Sequence, residues 1–282
     1  MTFYQQLRNQ GVQVQFVIYD LLPIIMPKAF PESVFKAYQT FINVVADSDG
    51  AICISKSVAG ELADWFIESG IVHQRPFKIG WFHLGADIDA SAPSRGLPKN
   101  AEAVLSMIGK RPTFLMVGTL EPRKGHTQTI AAFEQLWAEG VDVNLVIVGK
   151  QGWMMDALVE YLRHHCELSK RLFWLDGISD EYLEQVYASS TCLIAASLGE
   201  GFGLPLIEAA QHKLPIIARD IPVFREVAGE YAYYFSGLEP DMLSCKIKSW
   251  LELNEKKLAP SSSDLQCQTW KKSSKQLIDH CL

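Results

Sequence analysis

The sequence has no excess of basic residues. Its 282 residues include 26 Lys and Arg against 32 Asp and Glu, which gives a formal net charge of -6. A protein that binds a nucleic-acid polymer needs basic residues to neutralise the phosphates along it. The composition therefore argues against nucleic acid as a partner, although a small anionic ligand needs only local positive charge.

Closely paired cysteines are also lacking. The six cysteines show no short paired spacing and no accompanying histidine cluster of the zinc type: Cys53, Cys166, Cys192, Cys245, Cys267 and Cys281. This pattern indicates neither a disulfide framework nor a zinc site. The sequence predicts reduced thiols, a cytoplasmic protein and no metal.

Long apolar runs are absent as well. No stretch approaches 18 uninterrupted apolar residues, and no basic segment followed by an apolar one opens the chain. The prediction is a soluble protein, with peripheral membrane association left open. Hydrophobic residues still make up 48% of the chain, which permits substantial cores. At about 150 residues per domain, the length suggests two domains.

The second part of the chain alternates apolar and amphipathic segments in a regular way. Strands are predicted at 113–118, 143–149, 172–175, 192–196, 215–218 and 231–235. Helices are predicted at 125–140, 153–168, 180–188, 223–227, 240–253 and around Trp270 and Leu277. Strands that alternate with helices at this spacing predict an α/β fold with a doubly wound parallel sheet.

The first ninety residues supply about half as many elements as such a domain needs. Strands are predicted at 12–20, 51–54 and 77–84, and helices at 3–10, 33–46 and up to about 69, the last capped by Ser55 or Ser57. A segment at 90–99, rich in proline, charge and small polar residues, suits a linker. We predict an incomplete N-terminal domain at 1–93, a second domain at 94–264 and a terminal helical segment at 265–282.

A glycine-containing turn lies between an apolar strand and a helix, within Ser-Leu-Gly-Glu-Gly-Phe-Gly-Leu-Pro-Leu-Ile-Glu (197–208). Free backbone N–H groups and the positive end of the helix dipole suit such a turn to a phosphate. Gly203 and Leu204 would supply the N–H donors. Glu200 and Glu208 flank the turn, and because carboxylates repel phosphate, we expect each to bind hydroxyl groups. One would bind a ribose and the other a sugar, as a nucleotide sugar requires.

A second turn supplies positive charge. Arg123 and Lys124 lie between a predicted strand and a predicted helix, just after Gly118 and Thr119. In a doubly wound sheet this position is at the carboxyl edge, where ligands bind. An arginine can grip a phosphate with two N–H donors, and a lysine adds a compact charge. Both would stabilise the charge that builds on a departing diphosphate.

These motifs, together with Pro-Ile-Ile-Ala (215–218) and Arg-Glu-Val-Ala-Gly (225–229), resemble the donor site of the retaining glycosyltransferases of family four, which have two Rossmann-like domains. The resemblance implies the glycosyltransferase B type of fold, with the first domain incomplete here. It implies no cofactor, with the nucleotide-sugar donor as a substrate. It assigns catalytic roles to Glu200, Arg123 and Lys124, and donor binding to Gly118, Thr119, Gly201, Phe202, Gly203, Leu204 and Glu208.

The resemblance extends to parts of the first domain. Residues 16–23 and 51–55 resemble the second half of the family's acceptor domain, and the first half is not in this sequence. Many members have His-Asp where this chain has Tyr19 and Asp20, so Asp20 either lines the cleft or caps a turn. The segment 270–274 resembles the family's closing segment, which crosses back to the first domain; packing on its own domain is the alternative.

The resemblance implies hexosyl transfer with retention from a nucleotide sugar, of the UDP-glucose or GDP-mannose type, to a glycan or lipid-linked glycan acceptor in bacterial polysaccharide assembly. Two alternatives stay open: a non-catalytic nucleotide-sugar binding module, and a hexose-nucleotide epimerase of the same architecture. The incomplete first domain predicts poor acceptor binding and an exposed sheet edge that invites pairing with another chain or segment, including a homo-oligomer. His212 and Lys213 depart from the family's small residue or glycine, which predicts a different helix end without an effect on the chemistry.

Overall fold

A computed structural model describes residues 3–73, 75–87 and 92–281. The chain divides into two compact units. The described residues of the first unit lie within Met1–Asp87, Glu200–Phe202 and Cys267–Leu282, and those of the second within Ile88–Gly199 and Gly203–Gln266. The domain bounds drawn from the sequence stay a prediction, and the predicted linker at 90–99 lies partly outside the described residues.

The first unit contains a small parallel sheet. Its strands are β1 (Gln15–Ile18), β2 (Gly50–Cys53) and β3 (Lys78–Trp81), in the order β1-β2-β3. Both pairs are parallel, with Gln15 opposite Gly50 and Gly50 opposite Lys78. Helix α1 (Phe3–Asn9) precedes β1, and the helices between the strands are α2 (Leu22–Ile25), α3 (Glu32–Ala46) and α4 (Lys56–Glu68).

The central strand organises the core of this unit. Every residue of β2 is buried, as expected for a strand that helices cover on both faces. Directly after it, the side chain of Ser55 accepts a hydrogen bond from the Val58 backbone N–H at 3.1 Å and so caps α4. Val58 and Leu62 then bury one face of the helix against the sheet. Ser55 is therefore the cap, and the alternative Ser57 is not.

The second unit contains a six-stranded sheet in which every pair is parallel. Its order is β6-β5-β4-β7-β8-β9. The strands are β4 (Thr113–Val117), β5 (Asn144–Val148), β6 (Leu172–Leu175), β7 (Cys192–Ala195), β8 (Ile216–Arg219) and β9 (Tyr233–Phe235). The predicted α/β class with parallel sheets is confirmed.

Helices accompany this sheet throughout. They are α5 (Ala101–Ile108), α6 (His126–Ala138), α7 (Asp156–Arg163), α8 (Asp180–Ser189), α9 (Leu204–Gln211), α10 (Pro222–Ala228) and α11 (Pro240–Glu255). Phe114 of β4, Phe133 of α6 and Trp250 of α11 are fully buried and meet edge to face. Such a pair of rings contributes about 0.5–1.5 kcal/mol beyond the area it buries.

One further helix, α12 (Trp270–Cys281), belongs to the first unit although it follows the second along the chain. It packs against β3 so closely that two glycines leave no room for a side chain. A Cβ on Gly80 would lie 2.7 Å from the His280 ring, and a Cβ on Gly85 would collide with the backbone of Trp270. The Ala86 N–H also donates to the Gln268 carbonyl oxygen at 3.0 Å.

Several element bounds differ from the prediction. Helix α5 was not predicted, and α7 is shorter than the predicted 153–168. Met154 adopts a left-handed conformation with φ of 58°, so the helix cannot begin before it. Lys213 is also left-handed, with φ of 54°, and follows the end of α9. That this helix end differs from the family's stays a prediction.

Candidate functional site

Two turns leave neighbouring strands of the second sheet. The first turn, 118–125, follows β4, and the second follows β7, whose residues 196–199 belong to the second unit. Because β4 and β7 are adjacent and parallel, both turns leave the same edge of the sheet. The chain reverses its strand order here, since β4 also pairs with β5. Doubly wound sheets bind ligands at such a switch point.

In the first turn, the Lys124 side chain lies over the end of β4. Its Nζ and Cε atoms are each 3.6 Å from the position that a Cβ on Gly118 would occupy. Gly118 has φ of 140°, a conformation that L side chains rarely adopt. The sequence placed both residues at a donor site, and the structure brings them together at the carboxyl edge of the sheet.

Arg123 connects the two turns. Its Nη1 donates to the Gly199 carbonyl oxygen at 3.3 Å, and its own carbonyl oxygen accepts from the Leu198 N–H at 2.7 Å. Its Nε lies 2.9 Å from Glu121 Oε2 in an ion pair whose side chains are only 14% and 8% exposed. The sequence analysis identified Arg123 but not Glu121. A buried ion pair of this kind neutralises the charge of Arg123 and also restrains the position of its side chain.

The first turn ends at a glycine that no other residue can replace without strain. Gly125 has φ of 75°, and a Cβ there would collide with the Ala196 carbonyl oxygen at the start of the second turn. The next residue, His126, opens α6 and is almost fully buried. Burial, with the nearby Lys124 charge, lowers the pKa of His126 to about 3, so its imidazole stays neutral at physiological pH.

The second turn leads into α9. Gly203 is left-handed, with φ of 100°, and a Cβ there would approach the Phe224 ring to 2.9 Å. Leu204 and Pro205 follow as the first residues of the helix. Leu204 carries the first N–H of the helix, whereas Pro205 has none and the Leu206 N–H donates to the Gly203 carbonyl oxygen at 3.0 Å. The helix dipole adds positive potential at this end. The end of α9 can therefore bind an anion at the same sheet edge as Lys124.

Glu208 lies one turn into α9, where its carboxylate accepts a hydrogen bond. The donor is the Tyr187 hydroxyl of α8, with 2.8 Å between the oxygen atoms. Burial raises the pKa of Glu208, and the tyrosine bond opposes this rise. Thr119, Gly118 and Glu208 were predicted to bind the donor, and their roles stay predictions.

The remaining part of the motif, Glu200–Phe202, groups with the first unit. Ser55, the cap of α4, also donates through its hydroxyl to the Gly201 carbonyl oxygen at 2.8 Å. A Cβ on Gly201 would collide with the Tyr19 carbonyl oxygen. The Phe202 ring lies 5.3 Å from the His83 ring, and Glu200 is half-buried. The first unit therefore fixes the backbone on which the predicted catalytic carboxylate is carried.

Asp20 performs a capping role in the first unit. Its Oδ1 accepts from the Leu22 N–H at 3.0 Å, at the start of α2, and its carbonyl oxygen accepts from the Tyr38 hydroxyl. Of the two readings of Asp20, the structure shows the capped turn, and the cleft role stays a prediction. Near it, Glu61 of α4 has a buried Oε2 that accepts no hydrogen bond from the described residues. Burial, followed by the Asp20 charge, raises the pKa of Glu61 to about 7.

Because of Glu61, we expect the free energy of unfolding to depend on pH. Its folded pKa is raised above the ordinary 4.5, so folding is favoured at acid pH and weakened as pH rises from about 4.5 to 7. A pKa difference of this size corresponds to about 3 kcal/mol of unfolding free energy. Because Glu61 is partly exposed to solvent, we expect a loss of about 2 kcal/mol. Denaturant unfolding at pH 5 and pH 8 should show Glu61→Gln removing this difference. The exposed Glu68→Gln on the same helix is the control, and equal pH slopes in all three proteins would contradict the assignment.

Sequence reasoning also missed Arg219 at the end of β8. It is buried, and its guanidinium donates to the Ala196 carbonyl oxygen at 3.0 Å, the Gly237 carbonyl oxygen at 2.5 Å and the Gln128 side chain. Arg219 therefore ties the start of the second turn to α6 and to the loop after β9. Burial lowers its pKa.

The described part of the chain offers neither a cluster of metal-ligating side chains nor a membrane-spanning helix. No group of three or more His, Cys, Asp and Glu side chains there could hold a metal ion. Within the same residues, no helix combines the length and the apolar character needed to cross a bilayer.

Comparisons with known proteins identify the family of the chain. The family described as "Glycosyl transferases group 1" matches residues 99–263. The serotype-specific mannosyltransferase WbdA of Escherichia coli is 50% identical over 281 residues, which cover 99% of this chain and 34% of WbdA. The chain thus spans about a third of the length of this relative. The O-antigen chain mannosyltransferase B of Escherichia coli is 30% identical over 149 residues, covering 49% of this chain and 38% of that protein.

Solved structures resemble the whole chain. Anabaena HepE in complex with UDP-glucose aligns with a TM-score of 0.73 and 17% identity, covering 99% of this chain and 74% of HepE. Sucrose-phosphate synthase from Thermosynechococcus elongatus aligns with a TM-score of 0.70 and 18% identity, covering 98% of this chain and 69% of the synthase. These likenesses show the fold, which is the glycosyltransferase B type that the sequence predicted.

Proposed function

Because this chain belongs to the group 1 glycosyl transferases, we propose that it transfers a hexosyl unit from a nucleotide sugar to a glycan acceptor with retention. The observation that carries the proposal is the pair of turns at the switch point between β4 and β7. They bring the Lys124 ammonium and the N-terminus of α9 to one edge of the sheet. Both attract anions, as the diphosphate of a donor requires.

The chemistry follows from charge. When the bond between the sugar and the diphosphate breaks, negative charge builds on the departing nucleoside diphosphate. Lys124 and the α9 N-terminus would stabilise that charge, and Arg123 would add to it while holding the two turns together. Glu208 would accept a hydrogen bond from the ribose. Glu200 would bind a hydroxyl of the transferred sugar.

For the donor, we propose GDP-mannose rather than UDP-glucose. The support is the 50% identity with WbdA, a mannosyltransferase by name, over 99% of this chain. The UDP complexes of HepE carry no weight against it, since 17% identity supports a shared fold only. Binding of GDP-mannose and UDP-glucose can be compared by thermal shift. A ligand at about a hundredfold its dissociation constant adds about 2.7 kcal/mol of stability.

For the acceptor, we propose a growing glycan, free or on a lipid carrier, at the cytoplasmic face of the membrane. Two relatives named as O-antigen chain mannosyltransferases, from Escherichia coli and Salmonella typhimurium, support a polysaccharide acceptor. A turnover assay with and without glycan acceptor tests the reaction. An epimerase would act without acceptor, and a binding module would give no product; either result would replace the proposed function.

Lys124→Ala is expected to lower the affinity for GDP by about 10-fold to 100-fold and to leave the affinity for guanosine unchanged. A hydrogen bond to a charged group contributes about 1.5–3 kcal/mol, and each 1.4 kcal/mol is a factor of ten in affinity. Calorimetry with GDP and guanosine measures both. Lys248→Ala, which removes a surface lysine that pairs with Glu139 at 2.7 Å, is the matched control. If GDP and guanosine weaken alike, Lys124 does not contact the diphosphate.

A further inference from the structure

The carboxylate of Glu208 is held by a buried tyrosine. Tyr187 is only 2% exposed, and its hydroxyl donates to Glu208 Oε2 at 2.8 Å. Burial, together with the Glu208 charge, raises the pKa of Tyr187 well above its usual value, so the hydroxyl keeps its proton and remains a donor. With Oε2 engaged in this way, Oε1 is the oxygen left to accept a bond from a ligand.

The tyrosine ring is itself held from the other side. His212 stacks on it with 4.6 Å between ring centroids and an angle of 6° between the planes. His212 Nε2 lies 3.3 Å from Glu184 Oε2. Glu184 and Tyr187 are three residues apart on α8, and Glu208 and His212 are four apart at the end of α9, so each pair lies on one helix face. The four side chains form one contact row between the two helices.

We propose that Tyr187 and His212 are positioning residues that fix the Glu208 carboxylate for the ribose of the donor. The inference rests on the proposed function, in which Glu208 binds that ribose. His212 would act one contact away from the ligand, through the Tyr187 ring on which it stacks.

The arrangement also predicts how affinity depends on pH. The groups that act on Glu208 are Tyr187, His212, Glu184 and Asp180. Burial raises the Glu208 pKa, and the tyrosine hydrogen bond stabilises the charged form and lowers it. Protonation of the carboxyl removes the acceptor, so ribose affinity falls as pH decreases through the Glu208 pKa. Loss of the tyrosine hydroxyl raises that pKa, so the fall begins at a higher pH.

The experiment compares GDP with 2′,3′-dideoxy-GDP by calorimetry across pH 5–8. Tyr187→Phe is expected to lower the affinity for GDP about tenfold at pH 7.5 and to leave the affinity for the dideoxy compound unchanged. The decrease of GDP affinity at acid pH should begin at a higher pH than in the wild-type protein. His212→Ala should weaken GDP severalfold, and His212→Phe, which keeps the stacked ring, should restore it. Tyr182→Phe is the matched control, because Tyr182 is a buried tyrosine of the same helix whose hydroxyl has no hydrogen-bond partner within the described part of the chain.

The outcomes separate the inference from the proposed function. If the wild-type protein binds GDP and the dideoxy compound equally, the ribose does not contact Glu208, and both fail. If the wild-type protein prefers GDP and Tyr187→Phe weakens both compounds alike or neither, the positioning role is wrong while the proposed function stands. Melting temperatures of all variants, compared with Tyr182→Phe, identify any loss that comes from unfolding.

Discussion

Replacing Glu200 by glutamine is expected to slow sugar transfer by about 100-fold while GDP affinity changes by less than about twofold. The proposed site puts the nucleoside diphosphate at the β4 and β7 turns, and assigns Glu200 to the transferred sugar. An interaction that strengthens in the transition state lowers kcat when it is removed, and loss of one such group costs about 100-fold to 1,000-fold in rate. Glutamine keeps the size of the side chain, removes its charge and replaces one acceptor oxygen by an NH2 donor.

The measurement is kcat at saturating donor, together with GDP affinity by calorimetry. Glu208→Gln provides the matched comparison, because it alters a carboxylate of the same motif that we assign to the ribose. It should weaken GDP and change kcat much less. Equal losses of GDP binding and of turnover in Glu200→Gln would show that Glu200 contacts the nucleotide rather than the sugar.

Arg123→Ala is expected to destabilise the second unit by about 3–5 kcal/mol, beyond any effect on the donor. The cause is Glu121, whose side chain is 8% exposed and forms its ion pair with Arg123 Nε at 2.9 Å. Removing one partner of a buried pair leaves an uncompensated charge, and this costs about 3–5 kcal/mol. Lys124→Ala is therefore the cleaner test of diphosphate binding.

Denaturant unfolding of a double-mutant cycle measures this effect. Glu121→Gln combined with Arg123→Ala removes both charges and should recover most of the loss, because neither partner is then left charged and buried. Lys248→Ala breaks a pair with Glu139 at the surface and should cost less than about 1 kcal/mol. An Arg123→Ala protein that unfolds at the wild-type denaturant concentration would contradict the prediction.

The sequence predicted the parts of the fold that local pattern determines. The strands around Val117 and Ile194 are continuous apolar runs, and the glycines at 118, 125 and 203 mark turns that need left-handed backbone. Helix α5 has a helical pattern as well, since Ala101, Val104 and Ile108 fall on one buried face, but it was not predicted. Met154 gave no signal, because a left-handed methionine is determined by its surroundings rather than by its residue type.

The sequence indicates candidate site residues where they follow strand ends or belong to the glycine motif, but not the side chains that hold them in place. Gly118, Arg123 and Lys124 follow β4 directly, so the sequence alone indicates that they lie close together. Tyr187 and Glu208 lie on different helices, 21 residues apart, and their hydrogen bond depends on how α8 packs beside α9. In the sequence, Glu121 is a carboxylate next to a basic pair. Only its burial in the fold distinguishes this partner of Arg123 from a surface carboxylate.

The first unit is assembled from three separate stretches of chain, and this has a consequence for synthesis. Helix α12, which fills the space beside Gly80 and Gly85, comes after the whole second unit. On the ribosome the second unit can therefore close its sheet while the first still waits for its last helix. Contacts between residues far apart in sequence form late, and the surface they will cover stays exposed meanwhile. We expect the face of β3 that α12 covers to be where a nascent chain needs a chaperone.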